Sequence, residues 1–287
     1  MTTKTPSAPT KYQDLSELLQ RFVTEVKHVL GDDFVGAYLQ GSFALGDADM
    51  QSDCDFIVVV QNALTRGQES GLRALHAEIR EWPNHWAGHL EGSYAPKEEF
   101  RSLASLGKKW LFIDQGHSGS DMEWSTHCNT EVVRWIFREH GVILDGPAPK
   151  ELVDEVTPAD LRSRLRTEIA SFLPDMLSWI GLDSPWAQRY AVTTLCRILY
   201  TLDTGEVASK KGSLMWAKNN LESKWQPIIE RALAGRSLGW NHTDPIESGS
   251  IETIEKFYDY AKQEAELPGL QNDYTPGQLR DGASKRP

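Results

Sequence analysis

Gly41-Ser42 and, ten residues further on, Asp53-Cys54-Asp55-Phe56-Ile57-Val58-Val59-Val60 form the stretch whose reading decides this chain. The β-branched run after Asp55 predicts a strand. Residues two apart on a strand project to the same side, so Asp53 and Asp55 point together while Cys54 faces away. Two carboxylates that close raise each other's pKa unless a cation lies between them. Magnesium suits such a place, being hard, oxygen-seeking and usually held by one or two carboxylates plus substrate phosphates. Upstream, Phe34 to Leu39 reads as a buried strand that delivers the chain to Gly41. Glycine there lets the backbone approach a phosphate, and Ser42 offers a hydroxyl and an N–H at a predicted helix start. A D-x-D pair or a G-S pair alone more often marks a solvated turn. The strands on either side give the combination its weight, and the combination points to nucleotidyl transfer.

Outward from this stretch, Leu15, Leu18, Leu19, Phe22, Val23, Val26 and Leu30 recur at helical spacing and predict a helix that ends near Gly31. A short helix is expected between Ser42 and Asp47, and a surface helix over residues 65–81 with Leu72, Leu75 and Ile79 inward. Residues 85–94 read as a third strand and 110–113 as a fourth. The Gly-, Ser- and Asp-rich stretch 114–128 reads as a loop. A helix over 129–140 and a strand over 142–144 precede the break Gly146-Pro147-Ala148-Pro149. Strands and helices mix before that break; after it the pattern is helical only. Five helices are expected there: one on the stripe Leu161, Leu165, Ile169, Phe172, Leu173, Met176 and Ile180, then 185–203, 210–221, 226–234 and 251–265. The second of these is apolar on most sides and so central to a bundle.

The expected architecture is therefore an α/β N-terminal domain, a small mixed sheet with flanking helices, followed by an all-α helical bundle. Its expected divisions are a disordered lead-in at 1–10, the α/β domain at 11–148, the helical domain at 149–266 and a mobile tail at 267–287.

Bulk properties narrow the class. No apolar run approaches the ~18 residues needed to span a bilayer, so no membrane association is expected. The N-terminal residues lack the apolar core of a secretory signal. Cys54, Cys128 and Cys196 are scattered without C-x-x-C spacing, which suggests neither a disulfide framework nor a zinc cage and implies a reducing, cytoplasmic location. Against 41 acidic residues stand 30 Lys and Arg, a formal charge of −11. That argues against a nucleic-acid partner and suits a small cationic substrate steered to a negative cleft.

Nucleotidyl transfer asks for metal ions on the phosphates, a base for the attacking hydroxyl and positive charge for the leaving pyrophosphate. Asp53 and Asp55 meet the first need. Glu91 is the candidate for the second, because a third strand beside the second brings its carboxylate to the same edge, to take a proton or to share a metal. An ordinary exposed strand glutamate is the plain alternative. For the third, Arg197 lies in an apolar segment where an unpaired guanidinium is costly, so it needs a phosphate or a protein carboxylate. Lys210 and Lys211 open a helix, a position the macrodipole disfavours for cations unless an anion lies there. A buried salt bridge and a surface lysine pair are the plain alternatives.

Gly41-Ser42, Asp53-x-Asp55 and Glu91 together resemble the core of the DNA polymerase beta-like nucleotidyltransferases. The second half resembles the helical domain of the streptomycin/spectinomycin adenylyltransferases. The matching stretches are Arg197-Ile198-Leu199-Tyr200-Thr201-Leu202-Asp203-Thr204-Gly205, Ala208-Ser209-Lys210-Lys211, Trp216-Ala217 and Gln226-Pro227, with Gly141 to Pro147 fitting the interdomain turn. The similarity runs from roughly residue 15 to 265. It implies ATP and Mg²⁺ as cosubstrate and cofactor, with AMP passed to a hydroxyl of an aminocyclitol-type antibiotic bound between the domains. By the same resemblance Asp53 and Asp55 carry the metals, Glu91 is the base, Arg197 and Lys210 hold the triphosphate, and Gly41 and Ser42 line it.

The chain departs from the family in two places. Streptomycin-modifying members carry an acid about ten positions before the family arginine, where this chain reads Pro185-Trp186-Ala187-Gln188. The expected acceptor therefore shifts from streptomycin toward spectinomycin or an unrelated hydroxyl compound. The stretch 100–135 also matches poorly. Its Trp110, Asp114, Asp121, Glu123, Trp124 and His127 form an acidic and aromatic set suited to a polycationic ring, or a solvated loop with two packing tryptophans. The expected protein is an adenylyltransferase acting as a monomer on a small hydroxyl acceptor. Modification of a protein or tRNA, and nucleotide sensing without chemistry, are the rival readings.

Overall fold

The computed structural model describes residues 8–114, 121–238 and 244–266. The expected tail and residues 1–7 of the lead-in lie outside the described residues. The first half is one six-stranded mixed sheet, in the order β5-β4-β3-β2-β1-β6. Its strands are β1 (Phe34–Leu39), β2 (Cys54–Val60), β3 (Leu90–Pro96), β4 (Trp110–Asp114), β5 (Glu123–Ser125) and β6 (Val142–Asp145). Only β2 and β3 run parallel; all other neighbours are antiparallel. The helices of this half are α1 (Gln13–Leu30), α2 (Gly41–Ala44), α3 (Arg66–Arg80), α4 (Lys97–Arg101), α5 (Glu131–His140) and α6 (Pro149–Leu152).

Both faces of the sheet are covered, which is why β2 reads as a continuous apolar run and not as an alternating one. Cys54, Phe56, Val58 and Val60 enter the cluster under α1 and α3, with Phe22, Leu72 and Ile79. Ile57 and Val59 enter the opposite cluster with Phe100, Trp110 and Phe137. By the period of two, Asp55 belongs to this second face, at the open edge beyond Ile57. The α1 stripe is buried as its spacing predicts, and the chain leaves the helix at Gly31 with φ +57°. Thr65 and Gln68 form a reciprocal capping box that starts α3.

The structure corrects the expectation at two elements. Residues 85–88 form a 3-10 turn and not a strand, so β3 begins at Leu90. The Asn84 side chain caps the turn by accepting the Trp86 N–H at 2.9 Å. The Trp86 indole, fully buried against Tyr12 and Phe43, fixes it. Within the stretch expected as a loop, Glu123 to Ser125 add an edge strand to β4.

The second half holds α7 (Pro158–Leu177), α8 (Pro185–Thr204), α9 (Lys210–Asn220), α10 (Gln226–Ala234) and α11 (Ser250–Glu266). As its all-round apolarity predicts, α8 is central and packs on the other four. It ends at Gly205 in the left-handed region, φ +76°. Among the described residues, no helix is long and apolar enough to cross a membrane.

The chain between the halves stays packed on the sheet after the Gly146–Pro149 break. Leu152 and Val153 join the cluster of Tyr38 and Phe137, and the Asp154 N–H donates to the Arg101 carbonyl at 2.9 Å. Val156, Leu161 and Val207 then meet Ile136 and Leu45 in a small apolar cluster shared by both halves. This contact holds the bundle over the edge of the sheet that carries Asp55.

Candidate active site

Asp55 is the second residue of β2 and Glu91 the second residue of β3. The parallel register sets the two directly opposite each other. Asp114, the last residue of antiparallel β4, is in turn opposite Glu91. Three neighbouring strands thus end in carboxylates along one edge. Asp53 lies just before β2, with its Oδ1 3.8 Å from His89 Nδ1.

The Gly41-Ser42 turn closes over this edge. Gly41 has φ +60°, and a Cβ placed on it would sit 2.0 Å from Asp55 Oδ2. Only glycine lets the turn come down so far. The Gln40 N–H donates to the Asp55 carbonyl at 2.9 Å. The buried Ser42 Oγ has no hydrogen-bond partner among the described residues.

Burial first, and then the charges of Glu91 and Asp53, push Asp55 up to about 8; Lys210 and the Ser42 amide oppose the rise. Like charges gathered at a partly desolvated point are stabilised by a cation. Among the described residues, no group of three or more His, Cys, Asp and Glu side chains is arranged to hold a metal ion. The donor set is instead of the kind magnesium takes beside a nucleotide, where one or two carboxylates supply part of the shell and phosphate oxygens the rest. Asp53 and Asp55, with the unpartnered Ser42 hydroxyl and the close glycine turn beside them, fit that requirement.

Arg197 and Lys210 reach this edge from the helical half. They line a cleft of about 220 Å³ together with Asp53, Ser52, Tyr190 and Arg236. Burial pulls Arg197 below the ordinary arginine range, and Asp55, Tyr190 and Glu168 pull it back. Its Nε has no hydrogen-bond partner among the described residues. Lys210 begins α9, where Ser209 Oγ accepts the Gly212 N–H at 3.0 Å. The anion that the helix start requires is supplied by the protein. Asp47, on the loop between Ser42 and Asp53, accepts the Lys211 N–H on Oδ2 at 2.9 Å. The same oxygen lies 3.0 Å from Arg236 Nη1, and Arg236 Nη2 also donates to the Asp47 carbonyl at 3.3 Å. This clasp ties the loop that carries Asp53 to the helix that carries Lys210.

The stretch 100–135 separates into three environments. Trp110 is a core residue that donates from Nε1 to Glu99 Oε2 at 3.0 Å, so it does not face a ligand. Asp121, Glu123 and Trp124 are exposed at the sheet margin. His127 comes to the site itself, with Nε2 3.0 Å from Glu91 Oε1. Sequence reasoning missed this contact, and the clasp of Asp47 and Arg236 as well. One histidine in a polar loop and one aspartate before a D-x-D pair carry no periodic or spacing signal.

In the first two turns of α8, Trp186 and Tyr190 stack at 5.3 Å between ring centroids with planes 15° apart. Gln188 is buried away from the cleft, donating to the Leu182 carbonyl and to Ser250 Oγ, each at 2.9 Å.

Residues 17–102 match the family described as nucleotidyltransferase domain, and residues 151–264 match aminoglycoside adenylyltransferase, C-terminal domain. Over 272 residues the chain is 35% identical to an aminoglycoside (3'') (9) adenylyltransferase of Shigella flexneri, covering 88% of this chain and 95% of the relative. It is 26% identical over 229 residues to a spectinomycin 9-adenylyltransferase of Staphylococcus aureus, covering 73% and 80%. The fold is similar to the crystal structure of spectinomycin adenyltransferase AAD(9) from Enterococcus faecialis with ATP and spectinomycin. That likeness has a TM-score of 0.63 at 14% identity and covers 88% of this chain and 99% of the other.

Proposed function

The chain belongs to the aminoglycoside adenylyltransferase family and is a nucleotidyltransferase, and from that premise we propose that it transfers AMP from ATP to a hydroxyl of a small cationic aminocyclitol. One observation carries the reading. Asp55 lies under the Gly41 turn opposite Glu91, within the fields of Asp53 and Lys210, and Asp53, Arg197 and Lys210 line one cleft.

The acceptor oxygen attacks the α-phosphorus, the bond from that phosphorus to the bridging oxygen of the β-phosphate breaks, and pyrophosphate leaves. Glu91 takes the hydroxyl proton. Arg197 and Lys210 draw the triphosphate into the cleft and offset the charge that grows on pyrophosphate. Asp53 and Asp55 would hold Mg²⁺, which when bound would neutralise charge on the phosphate oxygens. The Gly41 turn keeps the backbone close without a side chain in the way, and the buried Ser42 hydroxyl is left to donate to a phosphate oxygen.

The preferred acceptor in this reading is spectinomycin ahead of streptomycin. The start of α8 offers the stacked pair Trp186 and Tyr190, and Gln188 is turned inward. A flat aromatic wall favours a compact fused-ring cation over one that needs a fixed carboxylate for a guanidinium.

Incubation with ATP, Mg²⁺ and a panel of aminocyclitols including both compounds tests the reading. One pyrophosphate should be released for each product heavier by one AMP, with spectinomycin consumed faster. Bound ATP with no small molecule modified, or AMP label on protein or RNA bands, would reject the acceptor class and leave the nucleotidyltransferase chemistry standing.

A further inference from the structure

We propose that His127 is a positioning residue for this transfer: its imidazole holds one oxygen of the Glu91 carboxylate so that the other oxygen is aimed at the acceptor hydroxyl. The inference rests on the proposed role of Glu91 as base and deepens it.

The geometry is specific. His127 Nε2 stands 3.0 Å from Glu91 Oε1. An ionised carboxylate can only accept, so Nε2 carries the proton and donates it. The ring lies against Phe112, with centroids 4.9 Å apart and planes 33° apart. Phe112 is on β4, which pairs with β3, so the same ladder that places Glu91 also places the surface under the imidazole.

The backbone beneath His127 is fastened as well. The His127 N–H donates to Ser125 Oγ at 3.3 Å, and the Asn129 N–H donates to the Thr126 carbonyl at 2.8 Å. The Asn129 side chain donates to the Ser105 and Lys108 carbonyls, each at 2.8 Å, and accepts from the buried Arg134 at 2.6 Å. The donor is thus fixed at both its ring and its turn.

Glu91 needs such a hold. Its strand neighbours at the same edge are Asp55 and Asp114, both carboxylates, and a free glutamate arm would swing away from them. With Oε1 committed to the imidazole, the hydroxyl proton goes to Oε2. The raised pKa of His127, caused first by its hydrogen bond to Glu91, agrees with the contact. His127 also lines a cavity of about 410 Å³ with Thr130, Glu168, Thr194 and Arg197.

The His127 side chain is 62% exposed against 17% for Glu91. With the imidazole this exposed, its removal should leave the fold intact and reveal the catalytic share. His127→Ala should lower kcat about 10- to 100-fold, the scale of a small misplacement of a catalytic group. KM for ATP should stay within about twofold of wild type and the thermal midpoint should be unchanged. His127→Gln, which keeps an N–H donor, should recover most of the loss. In a Glu91→Gln background, His127→Ala should cost nothing more.

Unchanged kcat in His127→Ala overturns the proposal, as does an equal loss in the Ala and Gln variants. A fully active Glu91→Gln would instead remove the base on which the proposal rests. Where the wild-type protein adenylylates no compound offered, the proposed function falls and the contact is read by NMR. Ring signals of His127 displaced by Glu91→Gln and unmoved by Lys210→Met uphold it; signals unmoved by Glu91→Gln overturn it.

Discussion

In the sheet half, Asp55, Glu91 and Asp114 are fixed to one another by the backbone ladder of β2, β3 and β4. In the helical half, Arg197 and Lys210 sit on separate helices and approach Asp53 and Asp55 only because the two halves are docked. The backbone spacing of these acids cannot change without breaking strand hydrogen bonds. The spacing between acids and cations can change with one side-chain clasp. Substitutions at the sheet edge should therefore strike the chemical step, and substitutions in the bundle should strike ATP binding.

Gly41→Ala puts the sharpest strain on this contrast. Its Cβ would enter Asp55 Oδ2 at 2.0 Å from a backbone with φ +60°, so the turn or the carboxylate must move. We expect kcat to fall by about 10²-fold or more, the cost of a displacement near 1 Å at a reacting centre. A pyrophosphate-release assay at saturating ATP measures it. Near-normal turnover would mean that the turn plays no part in placing Asp55.

Next come the cations. Arg197→Met and Lys210→Met should each raise KM for ATP by about 10- to 100-fold, the scale of a charge-assisted hydrogen bond lost from a phosphate. Isothermal titration with a non-hydrolysable ATP analogue separates this binding loss from chemistry. A fall in kcat with unchanged nucleotide affinity would blur the division between the halves.

The clasp is the joint between them. Asp47→Ala or Arg236→Ala should raise KM for ATP by roughly fivefold, because the α9 start and the Asp53 loop are no longer tied. The pair should be non-additive by about 0.5–3 kcal/mol in a double-mutant cycle. Additive losses would show that the two residues act apart, contrary to their 3.0 Å contact.

The smallest effect falls on stability. Asp55 is raised to about 8, chiefly by burial and then by Glu91 and Asp53. Between its ordinary value near 4 and this one, the folded chain binds the proton more tightly than the unfolded chain, so its contribution to stability falls as pH rises through that window. Asp55→Asn removes the penalty. In the presence of a chelator it should raise Tm at pH 8 by about 2 °C or more and leave it nearly unchanged at pH 4. Loss of activity together with gain of stability would mark the sheet edge as a place where function opposes folding.

Much of this was legible in the residues. The helical stripe from Leu15 to Leu30, the strands through Phe34 and Phe56 and the centrality of α8 follow from local periodicity. Glu91 was reachable by asking which strand lies next to β2. The start of β3 was misread because Trp86 is held by tertiary contacts with Tyr12 and Phe43, which impose a 3-10 turn where the apolar pattern suggested a strand.

The sequence by itself determined most of the elements and the face of β2 to which Asp55 belongs, because strand and helix geometry are set within a few residues. Tertiary structure alone decided that Glu91 faces Asp55, that His127 meets Glu91 and that Asp47 anchors α9. Those partners are separated by 36, 36 and 164 positions along the chain. Register and docking join such distant residues through packing of the whole molecule, and no local spacing encodes them.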